Sequence, residues 1–352
     1  MNKYSRISKL KVMIEHSKTE LTKADFASDQ MVKWCPGCGD HGILAAVEGI
    51  FPKIGYKKEN YCIVSGIGCS SRFPYYVNTY GFHGIHGRPA AIATGVKMAN
   101  PGLSVWVVAG DGDSTAIGGN HFMHVIRRNM DINFMMFNNR IYGLTKGQYS
   151  PTTKQGQITK TSPFGVLDYQ LNPGELVMGV RGTFFARAVD VQTKQLQTVC
   201  DRMAAHDGCA VVEILQNCVI FNNGTHKDVT DKETRDDNQL WVEHGKPMIF
   251  GKNRDKGLIL KGRKFEVVTI GENGIKEEDI FVHDETTEDT GIHIMLAQMR
   301  PPEYPMVFGV IRAVRKLTYN NMFIAQQYEQ MQNAKIKCVD DLLNSGETWE
   351  IK

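Results

Sequence analysis

Residues 103–139 read LSVWVVAGDGDSTAIGGNHFMHVIRRNMDINFMMFNN, and the fold turns on them. The apolar run from Leu103 to Ala109 is short enough to be a strand buried on both faces. It ends on Gly110, Asp111, Gly112 and Asp113, two acids set between glycines. Gly118 and Gly119 then open a helical stretch to about Asn129, followed by a second apolar strand, Ile132 to Phe137, that ends on Asn138 and Asn139. This is a βαβ unit with a carboxylate at one strand tip and an amide at the next. In open parallel sheets ligands bind in the crevice outside such carboxyl ends.

The chemistry suggested there is a divalent metal carrying a diphosphate. Mg²⁺ takes hard oxygen ligands in near-octahedral geometry, some from protein and the rest from phosphate and water. Asp111 would give a carboxylate, Asn139 a side-chain carbonyl and Ile141 a backbone carbonyl turned back to the same spot. Gly110 and Gly112 would let the backbone approach the phosphates. A lone Gly-Asp-Gly is a common turn. The helix, strand and Asn-Asn that follow make this one specific.

Gly-Asp-Gly followed after about thirty residues by Asn-Asn resembles the thiamine diphosphate motif. The extension NNRIYGLTKGQYSPTT, with HGRPAAIATG before it, resembles the β subunit of 2-oxoacid:ferredoxin oxidoreductases, and within them the 2-oxoglutarate:ferredoxin oxidoreductases most. The resemblance runs over roughly residues 30 to 325. It implies an α/β fold, a doubly wound mostly parallel sheet of the thiamine diphosphate-binding type with a C-terminal extension. It also implies thiamine diphosphate and Mg²⁺ as cofactors, and oxidative decarboxylation of 2-oxoglutarate with CoA to succinyl-CoA and CO₂. Electrons would leave through a [4Fe–4S] cluster to ferredoxin. The chain has room for one cofactor-binding module, so an α subunit is expected to bring the pyrimidine-binding module and its activating glutamate. Two α and two β chains would form the enzyme.

A chain of 352 residues can hold one large α/β domain and a smaller appendage. We expect an N-terminal arm over residues 1–30, the cofactor domain over 31–224, and a linker with a C-terminal extension for partner or dimer contacts over 225–352. The charged stretch THKDVTDKETRDDNQ opens the extension as a solvated segment. Beyond it, short strands are expected at 247–251, 257–261, 265–270 and 279–283, then a helix at 291–299. A net charge of +3 leaves no electrostatic footprint for nucleic acid or an anionic membrane. No apolar run reaches the length of a membrane span. Eight cysteines without a secretory leader point to reduced thiols or metal ligands, hence to the cytoplasm.

Four of those cysteines fall at expected element ends. Cys35 and Cys38 form a Cys-Pro-Gly-Cys loop before a helical run, Cys69 follows the strand Tyr61 to Ser65, and Cys218 follows the strand Ala210 to Leu215. Alone, the Cys-x-x-Cys pair fits zinc, a redox disulfide or an iron–sulfur cluster. The resemblance selects a [4Fe–4S] cluster on Cys35, Cys38, Cys69 and Cys218. Zinc, which has no redox chemistry, could not accept electrons.

The helix expected from Ala90 to Ala99 begins just after His83, His86, Arg88 and Pro89. His86 is a candidate for substrate contact or proton shuttling, with His83 a weaker one. Arg72, which can grip a carboxylate bidentately, is the candidate for the distal carboxylate of a dicarboxylic substrate, ahead of Arg88. In the loop after Asn139, Thr145 and Gln148 would reach diphosphate oxygens and Leu144 would wall the thiazolium pocket. Lys146 would meet substrate or a CoA phosphate, and Gly143 and Asp113 complete the cofactor-facing set.

Overall fold

Parallel pairing, which requires a crossover of a dozen or more residues between neighbouring strands, dominates the main sheet. The computed structural model describes residues 14–351, so the first thirteen residues of the expected arm lie outside the described residues. The strands are β1 Tyr61–Ser65, β2 Tyr80–His83, β3 Ser104–Gly110, β4 Ile132–Asn138, β5 Phe184–Val189 and β6 Cys209–Leu215. They continue as β7 Gln239–Val242, β8 Ile249–Phe250, β9 Lys256–Lys261, β10 Lys264–Thr269 and β11 Met306–Ala313. Eight of them form one sheet in the order β2-β1-β3-β4-β6-β5-β11-β7, and β10-β9-β8 form a small second sheet. In the large sheet β5 and β11 run antiparallel and every other pair is parallel. The doubly wound α/β expectation therefore holds.

The parallel register puts the carboxyl ends of β1, β3, β4, β5 and β6 along one rim. From β1 the chain crosses outward to β2, then returns to β3 on the other side of β1. β1 and β3 thus flank the point where strand order reverses, the usual seat of a ligand. Alternate residues of these strands face opposite layers. Val105, Val107 and Ala109 pack with the helices Pro89–Ala99 and Gly119–Arg127, whereas Trp106 and Val108 pack with Asp40–Ile54 and Thr193–Ala204.

The C-terminal third is more deeply built in than expected. β7 and β11 complete the main sheet, so the division anticipated at residue 224 cuts across it. β11 escapes a simple pattern because Gly309 and a register shift between Val310 and Arg312 interrupt it, and it carries an arginine that is 0 % exposed. Arg312 donates to the carbonyls of Gly182, Thr287 and Glu288 at 2.7–3.0 Å, which ties the extension to the sheet. The strand expected over 279–283 is instead a turn, Glu277–Asp279, with a single bridge between Pro247 and Val282. Part of the arm also belongs to this domain. Phe26 is fully buried, its ring 5.4 Å from that of Phe51 and 5.5 Å from that of Tyr61, edge-on to both.

His293 gives the extension a pH dependence. Its Nε2 lies 2.9 Å from the Asp284 carbonyl and its Nδ1 lies 2.9 Å from an Arg312 nitrogen, an arrangement only neutral imidazole satisfies. Burial, reinforced by the Arg312 charge, lowers its pKa from 6.5 to about 4. The unfolded chain therefore binds this proton first on acidification, and stability falls as pH drops from 6.5 towards 4. Denaturant titrations between pH 7.5 and 4.5 should show His293→Gln to be less stable at neutral pH yet shallower in its acid slope, by up to about 1.4 kcal/mol per pH unit.

Candidate active site

At the tip of β3, Asp111 opens a short helix, Asp111–Thr115, and is 2 % exposed. Burial raises its carboxyl pKa, and hydrogen bonds counter that rise. Ser150 Oγ and Thr152 Oγ1 both donate to Oδ2 at 2.5 Å, so Oδ1 has no hydroxyl partner. The Thr152 hydroxyl also lies 2.9 Å from Asn138 Oδ1 at the tip of β4. Asn138 Nδ2 in turn donates to Glu213 Oε1 at 2.7 Å, and Arg187 Nε donates to Glu213 Oε2 at 2.8 Å. Burial opposes ionisation of Glu213, but the Arg187 charge and these bonds outweigh it and hold the carboxyl below its ordinary pKa. Arg187 also donates to the carbonyls of Val307 and Ala297 at 3.1 and 3.2 Å. A buried polar relay therefore runs from Asp111 to the extension.

Asn139 lies one residue beyond. Its Oδ1 accepts the Ile141 N–H at 3.1 Å, an Asx-type turn that folds Ile141 back over the tip. Arg140 between them adopts φ 57°, a strained value for a residue with a side chain. The turn is held from both sides: Thr153 Oγ1 donates to the Arg140 carbonyl at 2.7 Å and Asn222 Nδ2 to the Asn139 carbonyl at 2.9 Å.

Asp113 organises the opposite wall. Its Oδ1 accepts the N–H groups of Gly87 at 2.6 Å and Ile67 at 3.3 Å, and His86 Nδ1 stands 2.7 Å away. This carboxylate joins three segments: the turn after β1, the His86–Gly87 loop and the helix after β3. Gly112 also packs closely against a ring. A methyl group on it would lie 2.3 Å from the Tyr142 ring, whose hydroxyl donates to the Gly112 carbonyl at 3.1 Å.

The four cysteines sit on neighbouring loops of the same rim. A methyl group on Gly143 would lie 3.5 Å from the Cys218 sulfur and 3.7 Å from that of Cys69. Trp34 Nε1 donates to the Cys69 carbonyl at 2.6 Å, and Gln216 Nε2 donates to the Cys38 sulfur at 3.1 Å. Burial raises the thiol pKa of Cys38 and brings that of Cys69 to about 11, and the neighbouring cysteines add to both shifts. Among the described residues no three His, Cys, Asp or Glu side chains converge as they would on a single metal ion.

Most of the other candidates bond within this chain. Arg72 donates to the Lys33 carbonyl at 3.1 Å, and Arg88 reaches the carbonyls of Gly87 and Ile117 at 3.5 and 3.4 Å. Thr145 and Gln148 bond to each other, Thr145 Oγ1 donating to Gln148 Oε1 at 2.5 Å. Leu144 and Lys146 are exposed. His83 lies on the edge strand β2 with Nδ1 2.9 Å from the Tyr75 hydroxyl. Ser150, Thr152, Asn138, Glu213 and Arg187 were not anticipated. The signal for the last two is a lone charge in each of two strands that must be buried, and they are register partners on β5 and β6.

Fold and site together define a thiamine diphosphate-binding module of the doubly wound class, and residues 66–214 match the family described as "Thiamine pyrophosphate enzyme, C-terminal TPP binding domain". The 2-oxoglutarate oxidoreductase subunit KorB of Mycobacterium tuberculosis is 44% identical over 330 residues, which cover 93% of this chain and 88% of that one. The 2-oxoacid:ferredoxin oxidoreductase 1, subunit beta, of Aeropyrum pernix is 44% identical over 200 residues, 57% of this chain and 63% of that one. A structure of 2-oxoglutarate:ferredoxin oxidoreductase from Magnetococcus marinus, with 2-oxoglutarate, coenzyme A and succinyl-CoA bound, matches with a TM-score of 0.77 and 28% identity. That match covers 96% of this chain and all of the other. The chain belongs to the β-subunit family of the 2-oxoacid:ferredoxin oxidoreductases.

The hydroxyl bonds to Asp111 yield a graded test. Thr152→Val removes one hydrogen bond to a buried carboxylate and should weaken thiamine diphosphate–Mg²⁺ binding about tenfold. Gly112→Ala drives a methyl into the Tyr142 ring and should weaken it further. Calorimetry on the assembled enzyme checks both; equal affinities would remove the relay from the site.

Proposed function

We propose that the chain acts with an α subunit as a 2-oxoglutarate:ferredoxin oxidoreductase, converting 2-oxoglutarate and CoA to succinyl-CoA and CO₂. The observation that carries this is the shared rim: a buried carboxylate at the tip of β3, the Asn139–Ile141 turn at the tip of β4, and four cysteines on loops beside them. Names of relatives and the substrates in the matched structure point to the same reaction.

The residues fit both implied groups. Asp111, Asn139 and the Ile141 carbonyl would hold Mg²⁺ and, through it, the diphosphate. Asp111 Oδ1 is free of hydroxyl partners, and Asn139 Oδ1 keeps a second lone pair beyond its bond to Ile141. Cys35, Cys38, Cys69 and Cys218 would hold a [4Fe–4S] cluster. The four thiols lie on neighbouring loops of one rim, with the Cys69 and Cys218 sulfurs both beside Gly143, the donor set an all-cysteine cluster uses. Thiamine diphosphate supplies the electron sink for loss of CO₂, and the cluster a low-potential exit for electrons.

This chain's own groups bind and orient. Asp113 fixes His86 at the mouth of the site, where the imidazole can hold or pass a proton to substrate. Arg72 and Lys146 offer cations to the distal carboxylate and to CoA. Arg72 must leave the Lys33 carbonyl to do so, which makes its role depend on substrate or on the α subunit. Gly143 lies beside the Cys69 and Cys218 sulfurs, Leu144 would wall the thiazolium pocket, and Thr145 and Gln148 would exchange their mutual bond for phosphate oxygens. Gly110 and Gly112 would let the backbone approach the phosphates. The α subunit would bring the pyrimidine-binding module and its glutamate, in an assembly of two α and two β chains. Ferredoxin would take the electrons. Eight free cysteines fit a reducing cytoplasmic setting. Among the described residues no helix is long and apolar enough to cross a membrane.

The anaerobically purified complex should contain iron and sulfide and should reduce a viologen dye faster with 2-oxoglutarate and CoA than with pyruvate and CoA. Arg72→Met should raise KM for 2-oxoglutarate more than it lowers kcat. A colourless, zinc-containing complex would instead mark a non-oxidative enzyme, and a preference for pyruvate would remove the dicarboxylate assignment.

A further inference from the structure

We propose that Gln216 sets the reduction potential of the cluster by donating a side-chain N–H to the thiolate of Cys38, a proposal that rests on the cluster assignment above. Gln216 follows β6 directly and is 1 % exposed. Its backbone N–H donates to the Asn138 carbonyl at 3.0 Å, so the residue is pinned to the tip of β4. Both hydrogens of its amide are committed: Nε2 lies 3.1 Å from Cys38 Sγ and 2.8 Å from the Asn217 carbonyl. The bond to Asn217 fixes the orientation of the amide. Turned over, Oε1 would face another carbonyl oxygen, acceptor against acceptor.

The other end of the side chain is bare. Oε1 is buried and has no hydrogen-bond partner among the described residues. Burying an unsatisfied carbonyl is costly, and a neutral thiol is only a weak acceptor in return. A thiolate is a strong one, since bonds to ionised acceptors are roughly twice as strong as neutral ones. The arrangement makes sense when Cys38 is ionised on iron.

An N–H directed at a cluster sulfur favours the arrival of an electron, because hydrogen bonds to the sulfurs are among the determinants of cluster potential. Among the described residues Gln216 provides the side-chain N–H bonded to any of the four sulfurs. It is also continuous, through Asn138, with the strand that carries the cofactor turn.

The test compares wild type, Gln216→Met and Gln216→Glu as the anaerobically purified α–β complex. Three quantities are read: iron and sulfide content, thiamine diphosphate affinity, and the cluster midpoint potential by EPR-monitored redox titration. Both variants should keep their iron, sulfide and cofactor affinity. Gln216→Met should lower the equilibrium constant for one-electron reduction at least tenfold, a negative shift of about 59 mV, and Gln216→Glu should lower it further. An unchanged potential in variants with a full cluster would overturn the proposal. So would loss of iron from both with cofactor affinity intact, which would assign Gln216 to cluster assembly. A wild-type complex free of iron and sulfide would overturn the cluster assignment itself, and this proposal with it.

Discussion

A carboxylate buried at the end of a parallel strand must be neutralised, hydrogen-bonded or coordinated, because an isolated charge in that setting is far too costly. Asp111 meets this constraint with two hydroxyls on one oxygen, and the rest of the rim is arranged around it. Ser150 and Thr152 come from a loop that follows β4, so the loop is tied to β3 through the carboxylate. Thr152 continues the contact to Asn138, Asn138 to Glu213, and Glu213 to Arg187. Each member of the relay is almost wholly buried, and removing one leaves an unpaired group rather than a simple vacancy.

The same relay explains why the C-terminal third belongs to the site although it contributes no cofactor-facing residue. Arg187 anchors on the carbonyls of Ala297 and Val307, so the helix Gly291–Gln298 and β11 brace the far end of the chain of bonds. Arg312 does the same for the segment 284–293 through the Thr287 and Glu288 carbonyls and the His293 ring. Two buried guanidiniums thereby convert an apparent appendage into a wall of the cofactor domain.

Much of the fold was legible in sequence because its main signals are local. The runs around Trp106 and Phe134 are almost wholly apolar, with Ser104 and Asn133 the exceptions, as a strand covered on both faces requires, and Gly110 and Asn138 mark their ends. The loop placement of Cys35, Cys38, Cys69 and Cys218, each just outside a regular element, was legible for the same reason. What could not be read is cooperative. Glu213 looks like a defect in AVVEIL until Arg187 is seen opposite it, and the hydroxyls of Ser150 and Thr152 resemble any polar loop. β2 carries no buried face, and all four of its residues are exposed, so no periodicity announces it. That the missing side chain of Gly112 also makes room for the ring of Tyr142 is likewise visible only in the fold.

The account stands on Asp111 and the Asn139–Ile141 turn forming one metal-binding unit at adjacent strand tips. A high-resolution structure of the α–β complex with thiamine diphosphate and Mg²⁺ tests this directly. The account predicts a six-coordinate ion about 2.1 Å from an Asp111 carboxylate oxygen, the Asn139 side-chain carbonyl and the Ile141 backbone carbonyl, with diphosphate oxygens among the remaining ligands. A metal held by other residues, with Asp111 bonded only to Ser150 and Thr152, would contradict it.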